Sequence, residues 1–492
     1  MSGPTRQFEP VIGLEVHAQL MTCSKIFCSC SSVYGGSPNA QTCPVCLGLP
    51  GALPVLNRQV VEFGMKLILA LGGAVSPESI FARKNYFYPD LPKGYQISQF
   101  DRPLGEGGHV EFIDDGQHVT VGLIRIHLEE DAGKSFHPED PGADPFTLVD
   151  MNRCGVPLLE IVSKPEIRSP HHASLYMQAL RQTLDYLGIC TGNMEEGALR
   201  CDANVSARPV GASELGTRTE IKNMNSFRSV ERALTFEIER QIRALSDGGA
   251  IEQETLLWDE KTQTAHLMRS KEESSDYRYF PDPDLPRLRI TPDWIGRVRQ
   301  SLPELALARA DRLTRQYQIP EYDAAVLTGQ KALADYFEAT VAGFPDGKKV
   351  SNWIMTEVLR VVKEGDFDIG DFPVSPSGLS EMLGMVGDGT ISGTVAKDVF
   401  TEMVATGRSA RDIVAAGGLT QVSDDRSLGA LVDEILRANP GQIESYRAGK
   451  SRVFGFFVGE AMKRSQGMAN PKRLSELLKA RLDSPKEGDE FV

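Results

Sequence analysis

Between Val11 and Leu20 apolar and polar residues alternate, with Ile12, Leu14, Val16, Ala18 and Leu20 on one parity and Glu15, His17 and Gln19 on the other. A β-strand sends successive side chains to opposite faces, so the segment predicts a strand with an apolar row against a core and a carboxylate and an imidazole facing away from it. The pattern returns. From Leu123 to Glu130, Ile124, Ile126 and Leu128 alternate with Arg125, His127 and Glu129. From Leu199 to Ser206, Leu199, Cys201, Ala203 and Val205 alternate with Arg200, Asp202, Asn204 and Ser206. In a fourth segment, Arg218 to Asn225, the sets separate less cleanly, with Arg218, Glu220 and Lys222 on one side. Ionised groups lined up on several strands are costly to bury unless paired, metal-bound or solvated in a pocket. The expectation is one largely antiparallel sheet with a functional polar face. The plainer alternative, a sheet with one wetted face, is weakened by four strands that mix acids and bases.

Helical periods follow. Leu175, Leu180, Leu184 and Leu187 predict a helix from Ala173 to Leu187, and a second covers Ser229 to Leu245. After the proline-rich stretch Pro281 to Pro292 the pattern is helical throughout: Pro303 to Tyr317, Tyr322 to Val341 and Val350 to Val362, with Pro320 and Gly343 as stops. Beyond Gly417-Gly418 come three more stripes, Leu428/Leu431/Ile435/Leu436, Val453/Phe454/Phe457/Val458/Met462 and Leu474/Leu477/Leu478/Leu482. Asn470-Pro471 supplies an N-cap and a first helical position for the last. The fold class is therefore α+β, in three parts: a β-rich domain over 1–295, an all-α domain over 296–408 and an all-α tail over 409–492.

A length of 492 residues agrees with roughly three domains, and 41% hydrophobic with 24% charged residues is an ordinary globular composition. No apolar run reaches the ~18 residues of a membrane span, and Met1 to Phe8 has neither the basic start nor the apolar core of a signal peptide. A cytoplasmic protein is expected. The net charge of −14 argues against a chain-wide nucleic-acid coat. Between 441 and 482 the balance reverses: Arg447, Lys450, Arg452, Lys463, Arg464, Lys472, Arg473, Lys479 and Arg481 face only Glu444, Glu460 and Glu476. That stretch is a candidate contact for phosphates, or a solvated helix face.

Eight cysteines are too few for a disulfide scaffold in so long a chain. Cys28-Ser29-Cys30 and Cys43-Pro44-Val45-Cys46 have ligand spacing. Two close thiolate pairs surround one tetrahedral Zn²⁺ and leave no open position, so a structural zinc knuckle is expected over unligated cysteines. Cys23 is off the pattern, and Cys154, Cys190 and Cys201 read as small core residues. Ala132-Gly133-Lys134-Ser135 suggests a phosphate loop, but the first glycine of that motif falls on Leu128. Glu129-Glu130-Asp131 instead offers oxygen ligands to a hard cation such as Mg²⁺. With Glu15, His17 and Asp202 this makes a floor for metal and ATP, and Arg125, Arg200, Arg218, Lys134 and Lys222 would neutralise phosphate. Arg83 to Tyr95 interleaves aromatics with lysines and aspartate, as a site wall or a packed surface loop. No Ser/His/Asp or Cys/His nucleophile emerges.

Glu15-Val16-His17, Arg83 to Asp90, His127 to Ser135, Glu195-Glu196-Gly197 with Arg200 to Asn204, and Glu220 to Ser226 together resemble the B-subunit of the glutamyl/aspartyl-tRNA amidotransferases, the GatB/GatE family. The likeness extends over the whole chain, and Gly449 to Pro471 looks like the family's YqeY-type tail. The resemblance implies a cradle related to the glutamine synthetase fold, then a helical domain, then the tail. It implies a heterotrimer with an amidase A-subunit, which releases ammonia from glutamine, and a small C-subunit. This chain would use ATP and Mg²⁺ to phosphorylate the side-chain carboxylate of Glu-tRNA(Gln) or Asp-tRNA(Asn), and ammonia would displace the phosphate. By the motif match Glu15, His17, Glu129, Glu130 and Asp202 hold Mg²⁺, with Glu15, His17, Glu130 and Asp202 catalytic. Lys84, Asp90, Lys93 and Glu130 line the ammonia tunnel. Lys450, Arg452, Lys463, Arg464, Lys472 and Arg473 meet tRNA. Two other readings stay open: a free-standing ATP-dependent ligase that amidates a small carboxylate, and a non-enzymatic, zinc-bearing RNA-binding assembly factor.

Overall fold

The protein is described by a computed structural model covering residues 7–136, 146–270, 277–365, 368–421, 425–465 and 469–484. It divides into two compact units, Met1–Ala306 and Leu307–Val492.

The first unit is built on a ten-stranded sheet. Its principal strands in chain order are β1 (Phe8–Gln19), β2 (Gln117–Glu130), β3 (Pro157–Ser163), β4 (Leu199–Pro209), β5 (Thr219–Met224), β6 (Glu254–Asp259) and β7 (Thr264–Ser270). Across the sheet they run β7-β6-β5-β4-β1-β3-β2, every pair antiparallel except β5 with β6. The alternation in β1 translates directly: Ile12, Leu14, Val16 and Ala18 are fully buried, whereas Glu15, His17 and Gln19 are half-buried on the opposite face. The apolar face is covered by helices α1 (Arg58–Ala70), α2 (Pro170–Leu187) and α3 (Phe227–Ser246), whose buried residues join one core with the strands. Burial of this kind contributes about 25 cal/mol per Å² of apolar surface and fixes the register, because a one-residue slip would turn every side chain over. Ser169 and Ser226 cap α2 and α3 by accepting from His172 N and Ser229 N, which starts both helices before the apolar stripes begin.

One strand departs from simple alternation. A bulge in β2 opposite Val162 and Ser163 places Leu123 in the core and turns Ile124 out, 48% exposed, so Ile124 is not part of the apolar row. A small three-stranded sheet, Ala82–Asn85 between Tyr95–Ser98 and Phe280–Pro281, lies against the end of β2. Arg83 fastens it, donating to Asp282 and Asp284, each at 2.8 Å.

Among its described residues the second unit has helices as its only named elements. One core takes residues from Leu313 to Val414, another from Leu428 to Leu482. The periodicity of Tyr322 to Val341 is divided into Glu321–Leu327 and Lys331–Gly343, with a tight turn between them in which Gly329 N donates to Val326 O at 3.0 Å. The Val350 stretch is continuous from Gly347 to Gly365, with a π-helical turn at Ile354–Val358. Asn470 caps Pro471–Asp483 by accepting from Lys472 N and Arg473 N. No helix among the described residues is long and apolar enough to cross a membrane.

Candidate active site

On the polar face, strand register sets the site. His17 of β1 is opposite Glu160 of β3, and Glu160 is opposite His127 of β2, so three adjacent strands carry an imidazole, a carboxylate and an imidazole in one row. Glu160 Oε2 lies 3.3 Å from His17 Nε2 and 3.4 Å from His127 Nε2, while Glu129 Oε1 is 3.4 Å from His17 Nε2. Ligand atoms of His17, Glu129 and Glu160 all fall within 4.8 Å of one another. Ser98 Oγ donates to Glu129 Oε2 at 3.2 Å, orienting that carboxylate.

One row along, Glu15 is opposite Asp202 of β4. Asn204 Nδ2 donates to Glu15 at 3.0 Å, and Lys222 Nζ of β5 donates to Asp202 at 2.5 Å and to Glu220 at 2.9 Å. These groups, with Lys84, Arg125, Arg218, Tyr277 and Tyr279, line a cavity of about 390 Å³. Lys84 Nζ sits 4.9 Å from the Tyr277 ring centre.

The electrostatics describe a place that lacks positive charge at its centre. Burial, and then the charges of Glu160, Glu220 and Asp202, push the Glu15 carboxyl above its usual range. For His17 burial works downward, but the hydrogen bond to Glu160 and the charges of Glu129 and Glu160 outweigh it and raise the pKa. Burial also works against ionisation of Glu160, yet His127 and His17 hold it well below the ordinary value. Lys222 loses solvation but is pushed up to about 12 by Asp202 and Glu220. Crowded carboxylates that raise the proton affinity of Glu15 and His17 make a natural seat for a divalent cation, which replaces shared protons as counter-charge. The carboxylates of Glu129 and Glu160 suit Mg²⁺ when substrate oxygens complete the shell, whereas the His17 imidazole is a donor more usual for softer divalent ions.

The sequence-predicted residues divide between this cavity and other places. Glu15, His17, Glu129, Asp202, Arg125, Arg218, Lys222 and Lys84 converge here. Glu130 does not join them. It shares parity with Ile126 and Leu128, and its carboxylate takes a hydrogen bond from Ile97 N at 2.9 Å and pairs with Lys93 in a second cavity of about 110 Å³. Arg200 turns to Asp131 Oδ1 at 3.0 Å, and Gln19 Nε2 reaches the other oxygen of Asp131 at 2.8 Å. For Asp131 burial acts upward, but Arg200 and Arg153 hold its pKa below the usual value. Lys134 is exposed over the Phe136 ring, and Asp90 receives Gly133 N on its carbonyl at 2.8 Å. Glu160 and Glu220 were missed as ligands or lining groups. The signal for Glu160 was present, since a lone acid in the run Pro157-Leu158-Leu159-Glu160-Ile161-Val162 has no place in a central strand without a partner.

The four expected zinc ligands do gather: Cys28, Cys30, Cys43 and Cys46 bring all four sulfurs within 4.8 Å of one another, with Cys43 and Cys46 Sγ 3.9 Å apart. The donor set fits a closed tetrahedral zinc site. Lys25 is fully buried behind it, donating to Gln41 O at 2.7 Å and reaching Cys46 Sγ at 3.7 Å. Hydrogen bonding from Cys28 draws the Cys46 thiol down, while the same contact pushes Cys28 up and burial pushes Cys30 up, so the sulfurs share protons that a bound metal would displace.

In the tail, Arg464 pairs with Glu434 at 2.8 Å and Arg473 with Asp425 at 2.6 Å, whereas Lys450, Arg452, Lys463 and Lys472 are exposed without an ion pair among the described residues.

A largely antiparallel sheet whose polar face gathers carboxylates, imidazoles and cationic side chains around one cavity places the protein in the class of α+β domains with a charged, anion-handling pocket. Sequence comparison specifies the class. Residues 10–296 match the GatB/GatE catalytic domain and residues 335–482 the GatB domain, so the chain belongs to the GatB/GatE family. It is 55% identical to the aspartyl/glutamyl-tRNA(Asn/Gln) amidotransferase B-subunit of Moorella thermoacetica, over 97% of this chain and 100% of the relative. The proteins of that name from Chlorobium phaeobacteroides and Geobacter sulfurreducens are 56% and 52% identical, over 97% and 96% of this chain and 99% of each relative.

Proposed function

We propose that this chain is the ATP-using transamidase subunit of a tRNA-dependent amidotransferase, converting misacylated Glu-tRNA(Gln), Asp-tRNA(Asn) or both to the cognate amide. The observation that carries the proposal is the cluster of His17, Glu129 and Glu160 facing Glu15, Asp202 and Lys222 across one cavity, in a member of the GatB/GatE family.

The chemistry follows from the acid itself. A carboxylate is a poor acyl donor until one oxygen becomes a leaving group. Transfer of a phosphoryl group from ATP to that oxygen gives an acyl phosphate and ADP. Ammonia then attacks the carbonyl carbon, the carbon–oxygen bond breaks, and inorganic phosphate departs. His17, Glu129 and Glu160 would hold a magnesium ion, which when bound would supply positive charge to the phosphate oxygens. Lys222, Lys84, Arg125 and Arg218 neutralise charge on the same group as it moves, and Glu15 and Asp202 complete the anionic floor. Glu130 with Lys93, Lys84 and Asp90 lines the path of ammonia from an amidase A-subunit held with a small C-subunit. Cys28, Cys30, Cys43 and Cys46 would hold a zinc ion, which would close their loop. The exposed tail cations Lys450, Arg452, Lys463 and Lys472, joined by Arg464 and Arg473, meet tRNA. The glutamine synthetase-type cradle over 1–295, the helical domain over 296–408, the tail over 409–492 and a cytoplasmic setting belong to the same proposal.

The test is the chain purified with the partners that accompany it, given ATP, Mg²⁺, glutamine and each misacylated tRNA. Amidation of at least one tRNA, dependent on ATP, is expected. Ligation of ammonia to a small carboxylate by the isolated chain would favour the free-standing ligase, and tRNA binding with no ATP dependence the assembly factor.

A further inference from the structure

The four-cysteine loop and the Lys93–Glu130 pair share a wall. The second cavity is lined on one side by Cys28, Cys46 and Gly48 and on the other by Lys93 and Glu130. Gly48 has φ +66°, and a Cβ there would stand 2.2 Å from Lys93 Cγ and 3.2 Å from Lys93 Cβ. The glycine therefore serves both the left-handed turn and the close approach of the lysine stem. Its position is set by the cysteine turn, since Leu47 N donates to Cys43 O at 3.1 Å and Gly48 N to Val45 O at 3.0 Å. Behind the cavity, Cys154 Sγ donates to Cys46 O at 3.2 Å, and the adjoining Gly155 N donates to Asp131 O at 2.9 Å, one residue past Glu130. Lys93 is 7% exposed and Glu130 2%, so neither has solvent to relax into when the wall moves.

We propose that the cysteine loop is a positioning element for Lys93 and Glu130, with Gly48 as its contact, so that closing the loop around its metal sets the passage of ammonia and leaves phosphoryl transfer alone. The inference rests on the reading of Lys93 and Glu130 as part of the ammonia path. Without a metal the cysteine ligands lose their common tie and the turn bearing Gly48 loses its anchor. Displacements of about 1 Å in such a constellation cost on the order of a hundredfold in rate.

The experiment uses the assembled amidotransferase carrying Gly48→Val, Gly48→Ala, the double change Cys43→Ser/Cys46→Ser, or Lys93→Ala. Three quantities are read: zinc content, reductive methylation of Lys93 by mass spectrometry, and amidation driven by glutamine against that driven by excess ammonium, which enters from solvent. In Gly48→Val zinc stays bound, Lys93 becomes more reactive, and glutamine-driven amidation falls about tenfold to a hundredfold while ammonium-driven amidation falls far less. The cysteine variant loses zinc and shows the same two changes, and Gly48→Ala a milder form of them. Unchanged Lys93 reactivity and an unchanged glutamine-to-ammonium ratio in the Gly48 and cysteine variants, with the ratio lowered in Lys93→Ala, would overturn this inference alone. A ratio unchanged in Lys93→Ala would remove the ammonia-path reading on which it rests.

Discussion

Glu129 and Glu130 are consecutive in the chain and stand on opposite faces of the sheet: Glu129 Oε1 is 3.4 Å from His17 Nε2 in the larger cavity, while Glu130 accepts from Ile97 N at 2.9 Å in the smaller one. Two adjacent carboxylates thereby serve two different environments, and their neutral variants should differ in kind. Glu129→Gln is expected to weaken Mn²⁺ or Mg²⁺ binding by at least about tenfold, because it removes a charged ligand, with Glu160→Gln acting likewise. Glu130→Gln should leave that affinity unchanged and lower amidation. Titration of the metal by calorimetry or Mn²⁺ paramagnetic resonance checks both, and equal losses in the two variants would contradict the placement.

Arg83 lies between two aspartates, with Asp282 entirely buried at the side chain and the Tyr95 ring 4.2 Å from the guanidinium carbon. Arg83→Met leaves Asp282 as an uncompensated charge and should destabilise the first unit by about 3 kcal/mol. Denaturant unfolding measures it, and Arg83→Met combined with Asp282→Asn should recover much of the loss.

Lys25 is the buried cation nearest the cysteine sulfurs, 3.7 Å from Cys46 Sγ. Four thiolates around one divalent ion carry excess negative charge, which this ammonium offsets. Lys25→Met is expected to lower zinc affinity about tenfold to a hundredfold in competition with a chromophoric chelator. Zinc affinity equal to that of the parent would show that Lys25 only fills space.

In the helical unit Arg309 donates to Asp335 and to Glu338 at 2.8 Å, and Arg312 to Glu338 at 2.7 Å. Partial burial acts upward on both carboxyls, but hydrogen bonds from Lys331 and Arg309 to Asp335, and from Arg312 and Arg309 to Glu338, hold both below the ordinary range. A folded pKa below the unfolded one contributes stability at neutral pH that is lost as pH falls from about 4 toward the folded values. Glu338→Gln should therefore lower Tm at pH 7, and the difference from the parent should shrink as pH falls below about 4. A constant difference across that range would assign the effect to packing.

The second core of the helical unit is formed by residues from Leu428 to Leu482 alone. Ending the chain after Gln421 should leave the ATP site intact and weaken tRNA binding. Replacing Lys450, Arg452, Lys463 and Lys472 by glutamine should reduce the salt dependence of binding, by up to about one unit in the log–log slope per lost phosphate contact. Filter binding at several salt concentrations distinguishes this from a tail that never meets the nucleic acid.

Much of this was legible in the chain itself. Strict alternation in β1 named both its buried row and its polar face, and the spacing of Cys28, Cys30, Cys43 and Cys46 named a ligand set that folding brings together. What was hidden depended on pairing. Glu160 acquires meaning only when β3 lies between β1 and β2 and sets it against two histidines. Arg200 has the right parity for the larger cavity, yet Asp131 claims it at 3.0 Å. Glu130 was readable in principle, since it shares parity with Ile126 and Leu128, but three acids in a row suggested one cluster. The break after Leu327 falls at Gly329, whose N–H closes a tight turn onto Val326 O at 3.0 Å, and hydrophobic periodicity alone does not register it.

β1 has one consequence for how the molecule is made. The strand from Phe8 to Gln19 precedes both of its neighbours, Pro157–Ser163 and Leu199–Pro209, by long stretches of chain. Until Pro157–Ser163 has been synthesised its apolar row has no partner strand, and until Leu199–Pro209 follows one of its edges stays unpaired. A nascent chain in that state is a client for holding chaperones, and slow translation across the Leu199–Pro209 codons would lengthen its exposure.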